Sequence, residues 1–204
     1  MMVRRSFLAA PALLLAGVLA MKFGWKGNDD LGWGLALPLW TVAHVLYVLG
    51  YLGFGVVLVS LWSRARKAAA GPLDRAGVET VSAVGGIGLI AMLGQMVIDL
   101  VVGFRAPDRA GMSAISKSIH DIPGFGFFYG LVPALLFVAA TLLIAFLAVH
   151  RRVPVWPAAV FAIGSFCVGT GVTALMIGGG VALCVALPAL APNATGPARA
   201  TAAA

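Results

Sequence analysis

Asp99 is the one acid that falls inside an apolar segment of this chain, and Gln95 stands one helical turn before it. A charged side chain in hydrocarbon costs roughly 3 kcal/mol or more unless it faces protein, water or a partner. A carboxyl placed there is suited to binding a cationic group, donating a proton or acting as a ligand. Two of the three histidines stand near it in the expected fold. As chemistry, Asp99 would be a general acid with His44 or His120 as base, acting as cyclase, isomerase or hydrolase on an isoprenoid or lipid substrate. Trp40, Tyr47 and Phe127 would shape that pocket, with Gln95, Asp121 and Tyr129 as further ligand-binding groups. As structure alone, His44, Gln95 and a tyrosine hydroxyl would form an interhelical clasp contributing about 0.6–2 kcal/mol per contact.

Other chemistries find less support. No HxxxH or HExxH pair fixes two metal ligands on one helix face, so no metal or other cofactor is expected, and a bis-histidine haem from His44 and His120 has no supporting motif. Cys167 and Cys184 lack CxxC spacing and read as small core residues. There is no glycine-rich phosphate loop or GxSxG elbow. A proton-coupled transporter would need more than one intramembrane acid or an inverted repeat.

The elements that must position these residues follow from composition. Of 204 residues, 61% are hydrophobic and 10% charged, with a mean hydropathy of +1.02. Soluble domains are nearer about 45–50% apolar and 25% charged. Uncharged runs at 6–21, 31–63, 80–98, 122–150 and 153–198 are each near the length of a membrane span. They predict an all-α polytopic bundle of about five spans, 7–24, 35–62, 78–104, 122–149 and 155–190, as a single domain over 1–190. The net charge of +7 reflects Lys and Arg beside span ends, where they set orientation rather than bind nucleic acid.

Phe7 to Met21 is short for a span and resembles a signal h-region, with Val18 and Ala20 like a cleavage site. Apolar character resumes at Phe23 and Trp25, and the stems of Lys22 and Lys26 can reach the interface, so an uncleaved first span is expected. Arg64, Arg66 and Lys67 after span two, and Arg151 and Arg152 after span four, mark the cytoplasmic side of a cell (inner) membrane. That assignment places eight Lys and Arg inside against six outside. It puts the N-terminus in the cytoplasm and the C-terminus outside.

The run after Val155 would measure about 48 Å between Pro157 and Pro188 as one helix, too long for a roughly 30 Å core. Gly178 to Gly180 is the expected break. Ser165, Gly169, Thr170, Gly171 and Ala174 have small-xxx-small spacing and read as a packing face, for this chain or for a homo- or hetero-oligomer. Residues 191–204 read as a disordered tail.

Trp40, His44, Tyr47 and Tyr51 share one face of span two, and Gly88, Met92, Gln95 and Asp99 share one face of span three. In an antiparallel pair, residues at equal depth have a constant sum, and these positions pair at 139. Trp40 would meet Asp99, His44 would meet Gln95, Tyr47 would meet Met92, and Tyr51 would lie over Gly88. At about 1.5 Å per residue, Asp99 would lie roughly 8 Å and His44 roughly 13 Å below the outer interface.

Between spans three and four, Met112, Ile115 and Ile119 fall on one side of a short interfacial helix. Asp121, two residues before Pro123, reads as the N-cap of span four. Gly103, Phe104, Pro107 and Asp108, followed by His120 and Asp121, resemble the bacterial multi-span membrane family called domain of unknown function 998. The similarity covers about 35–150. It implies that family's six-span fold, against five spans counted from hydropathy, and no known reaction. The expected ligand is a membrane lipid or small amphiphile, held in an outer-leaflet polar pocket; the alternative is the membrane-embedded enzyme above.

Overall fold

The computed structural model describes residues 2–23 and 32–192. The segment 24–31, which includes most of the expected external loop, and the tail from 193 lie outside the described residues. Eight helices are described, and no strand is present among the described residues. They are α1 (Met2–Met21), α2 (Trp33–Ala68), α3 (Pro72–Arg105), α4 (Arg109–His120), α5 (Phe125–Gly130), α6 (Ala134–Val149), α7 (Val155–Gly169) and α8 (Thr173–Leu190). Five segments are long and apolar enough to cross a membrane: α1, α2, α3, the α5–α6 unit and α8. The outward faces fit that setting. Leu35, Leu52, Ile90, Val101, Ile163 and Val185 are among many large apolar side chains left exposed, a pattern that water would penalise and lipid tolerates.

The buried core runs through all the long helices, with Phe7, Phe54, Leu61, Leu143, Phe161 and Leu187 fully enclosed. Small residues set the approach distances. Gly50 admits Leu14 of α1, and Gly88 lies directly against the α6 backbone at Leu135 and Leu136. Tyr51 therefore does not cover Gly88, as the sequence suggested; α6 does.

The last apolar run breaks at Thr170 to Val172, not at Gly178 to Gly180. Gly171 adopts φ 74°, the left-handed conformation that glycine takes without strain. Thr170 Oγ1 donates to the Cys167 carbonyl at 2.8 Å and closes the end of α7. The triple glycine stays helical because its missing side chains are used for contact. A Cβ on Gly179 would collide with the Gly164 carbonyl, and one on Gly180 would lie 2.8 Å from Leu15. α7 and α8 are thus an antiparallel hairpin. α7, of 15 residues, is about 22 Å long.

This hairpin changes where the last helix ends. Lys22, at the end of α1, donates from Nζ to the Gly171 carbonyl at the hairpin tip, 3.3 Å away. At the other end, Arg64 donates to the Leu190 carbonyl at 2.6 Å. Leu190 therefore lies at the Arg64 end of the bundle, the end that carries Arg66 and Lys67, and α8 runs back toward it from the hairpin tip. The last span is expected from the sequence to end on the side opposite Arg64, and α8 ends instead beside Arg64. With Cys167 and Cys184 replaced, cysteines at positions 66 and 191 should react with an impermeant thiol reagent from one side of the membrane, and a cysteine at position 113 from the other. Labelling of 66 and 191 from opposite sides would contradict the hairpin.

α4 matches the expected short helix. Its Met112 is buried against Val102 and Ala106, with Ile115 and Ile119 packed beside them, so its apolar side caps α2 and α3. Asp108 is its N-cap, accepting from the Gly111 N–H at 2.7 Å. Asp121 is not the N-cap of the next span but the C-cap of α4. Gly124, at φ 81°, opens α5 instead, because the turn from α4 demands a left-handed residue. The fourth span is itself interrupted at Leu131 to Pro133, where Pro133 has no N–H to continue the ladder.

Candidate functional site

The paired helices α2 and α3 meet about one turn away from the expected register. Trp40 lies against Gly103, Leu58 against Gly85, and Leu89 against Gly55. Helical side chains lean toward their own N-terminus, in opposite directions on antiparallel helices. A long side chain therefore meets a partner beyond the residue level with its own Cα. His44 consequently reaches Asp99 rather than Gln95, with Nε2 3.6 Å from Oδ2. The Trp40 indole N–H donates to the Asp99 backbone carbonyl at 3.2 Å, not to its carboxyl.

Tyr129 of α5 completes the cluster. Its hydroxyl donates to Asp99 Oδ1 at 2.5 Å and lies 3.4 Å from the Gln95 carbonyl. His44 is 3% exposed and Asp99 20%, so the pair is largely withdrawn from solvent. The hydrogen-bond pattern constrains the proton. His44 Nδ1 lies 2.8 Å from the Trp40 carbonyl, which only accepts, so Nδ1 carries a hydrogen. Nε2 is left facing the Asp99 carboxyl at 3.6 Å, beyond hydrogen-bonding distance, so the imidazole is a polar neighbour of a carboxyl that Tyr129 hydrogen-bonds directly.

Above this cluster lies a vestibule of about 320 Å³ formed by Trp40, Asp99, Val102 and α4, including Lys117 and His120. His120 is exposed, donates from Nδ1 to the Ser116 carbonyl, and meets Tyr129 edge-to-face with ring centroids 4.7 Å apart. Below it lies a larger cavity of about 730 Å³ lined by α1, α2, α3, α5, α6, α7 and α8. Tyr129 lines the lower cavity and Asp99 the vestibule, so their hydrogen bond stands at the partition.

The structure brings together Trp40, His44, Asp99, Tyr129 and His120, with Tyr47 edge-on to His44 at 5.8 Å. Tyr47 and Gln95 line the lower cavity. Asp121 and Phe127 are not part of either space: Asp121 is exposed, and Phe127 is 64% exposed on the outer face of α5. The one-turn α5 helix directs Tyr129 inward and Phe127 outward. Sequence reasoning missed the α7 and α8 walls, above all Ser165, whose buried Oγ has no hydrogen-bond partner and lines the cavity. Thr170-Gly171 as a helix stop was the available signal, since a hairpin there returns Ser165 to the bundle.

The arrangement sets an imidazole and a tyrosine hydroxyl beside one carboxyl, at the partition between the vestibule and the larger cavity. Among the described residues no three His, Cys, Asp or Glu side chains converge as a metal centre requires. Fold and site together define an all-helical, polytopic integral membrane protein with an internal apolar cavity. Comparison of the chain with protein-family models, with curated proteins and with solved structures finds no match.

Proposed function

We propose that this protein binds a lipid or small amphiphile within its helix bundle. The observation that carries the reading is the cavity of about 730 Å³. That volume lies within the roughly 300–1,000 Å³ of ligand pockets, and its walls combine many apolar side chains with a few polar ones, as such pockets do. The basic end, with Arg66 and Lys67, is read as cytoplasmic, which sets the vestibule and α4 toward the outside of a cell (inner) membrane.

The experiment is lipid analysis of the purified protein. Ala162 lines the cavity from α7, so Ala162→Phe fills space a ligand needs. The wild-type protein is expected to carry a defined lipid near one per chain, and the variant, equally helical, to carry much less. Equal lipid in both would remove the cavity from the account. The second reading, acid–base chemistry on an isoprenoid or lipid, draws on the His44 imidazole standing 3.6 Å from the Asp99 carboxyl, which also accepts from Tyr129. A covalently altered lipid product that disappears with Asp99→Asn would select it.

A further inference from the structure

The walls of the large cavity carry no Lys, Arg, His, Asp or Glu. Its polar groups are amides and hydroxyls, and several have no protein partner. The Gln95 carboxamide and the hydroxyls of Tyr47 and Tyr51 make no hydrogen bond to another described residue, and Ser165 Oγ is buried without one. Thr141 and Thr170, by contrast, already donate to carbonyls one turn back. Tyr47 and Tyr51 are neighbours on α2, with ring centroids 6.5 Å apart. With Gln95 of α3 they form a patch of neutral donors and acceptors on an otherwise apolar wall. Such a patch matches a hydroxyl, ester or ketone group, and offers nothing to offset a buried charge.

The cavity also has a side opening. α6 and α7 run antiparallel from the turn at 150–154, so residues at equal depth sum to about 304, the value set by Val149 and Val155. Leu142 with Ala162, and Val138 with Phe166, satisfy that sum, and all four line the cavity. Leu142, Val138 and Phe166 are at the same time 50%, 51% and 76% exposed. The cavity therefore meets the outer, lipid-facing surface between these two helices.

We infer that the cavity selects an uncharged amphiphile, taken sideways from the bilayer between α6 and α7, with its hydroxyl or carbonyl group held by Gln95, Tyr47 and Tyr51. The inference rests on the amphiphile-binding reading above and adds the ligand's charge class and its route.

The test uses the full chain in lipid nanodiscs and three single-chain probes: 1-monooleoylglycerol, oleoyl lysophosphatidylglycerol and hexadecyltrimethylammonium. The neutral probe should bind about tenfold or more tighter than either charged one, because a charge among apolar walls is costly. Gln95→Leu should weaken the neutral probe while leaving the fold intact. Equal or tighter binding of a charged probe, displaced by Ala162→Phe, would overturn the charge class but keep the cavity as a site. Binding of no probe, or binding indifferent to Ala162→Phe, would overturn both readings.

For the route, Val138→Cys with Phe166→Cys, on a background lacking Cys167 and Cys184, is bridged by a bifunctional thiol reagent. Bridged protein should cease to take up monooleoylglycerol from the bilayer, and the unbridged pair should still do so. Undiminished uptake by fully bridged protein would contradict the side opening.

Discussion

Asp99→Leu is expected to lower stability by about 1–3 kcal/mol, the cost of stranding buried polar groups. The substitution removes the acceptor of the Tyr129 hydroxyl and the group facing His44 Nε2. Tyr129 would retain only the Gln95 carbonyl at 3.4 Å, and His44, 3% exposed, would have no substitute within the bundle. The loss should register as a lower midpoint of thermal unfolding in detergent. Asp99→Asn should behave differently. Its carbonyl still accepts from Tyr129, and its NH2 can donate to the lone pair of a neutral His44, so stability should stay within about 0.5 kcal/mol of wild type. An asparagine variant as unstable as leucine would mean that a charged Asp99–His44 pair holds the bundle together. Equal stability of all three would mean that the cluster contributes nothing to the fold.

The second large effect is expected at Gly88. A Cβ there would collide with the backbone of α6 at Leu135 and Leu136, and backbone, unlike a flexible side chain, cannot swing away. Gly88→Ala should therefore force α3 and α6 apart and cost about 1–3 kcal/mol, the range typical of overpacking. Gly86 is the control. A Cβ at Gly86 meets nothing within 4 Å, so Gly86→Ala should be neutral or stabilising. Gly88 also bears on the cavity, because α3 and α6 form two of its walls. If both alanines were equally well tolerated, the close approach of α3 and α6 would be wrong.

The sequence made the helices legible and the stripes on α2 and α3 along with them, because spacings of three and four residues project side chains on one face whatever the neighbours do. α4 was legible for the same reason, through Met112, Ile115 and Ile119. Register was not, because equal Cα depth ignores the lean of each side chain, and that lean moved the partner of His44 from Gln95 to Asp99. Nor was the break in the last run. Three consecutive glycines suggest a weak point, yet Gly179 and Gly180 sit where neighbouring helices approach too closely for any side chain. One glycine at positive φ, Gly171, made the turn instead. Asp121 failed as a cap for a related reason: whether an aspartate caps the following helix or ends the preceding one depends on how the two helices meet, which its own neighbours in sequence do not encode. The cavity's far walls followed from the same hairpin, so the site was half visible from α2 and α3 alone.

The proposal that a lipid occupies the bundle is tested most directly by site-resolved photo-crosslinking in the native membrane. A benzoylphenylalanine at position 137 replaces a phenylalanine that lines the cavity, and one at position 90 replaces an isoleucine that is 72% exposed on the outer face of α3. After irradiation, mass spectrometry of the protein should show one dominant lipid species attached at position 137, distinct from the bulk mixture attached at position 90. The bulk mixture at both positions, or attachment at position 90 alone, would contradict an internal lipid site.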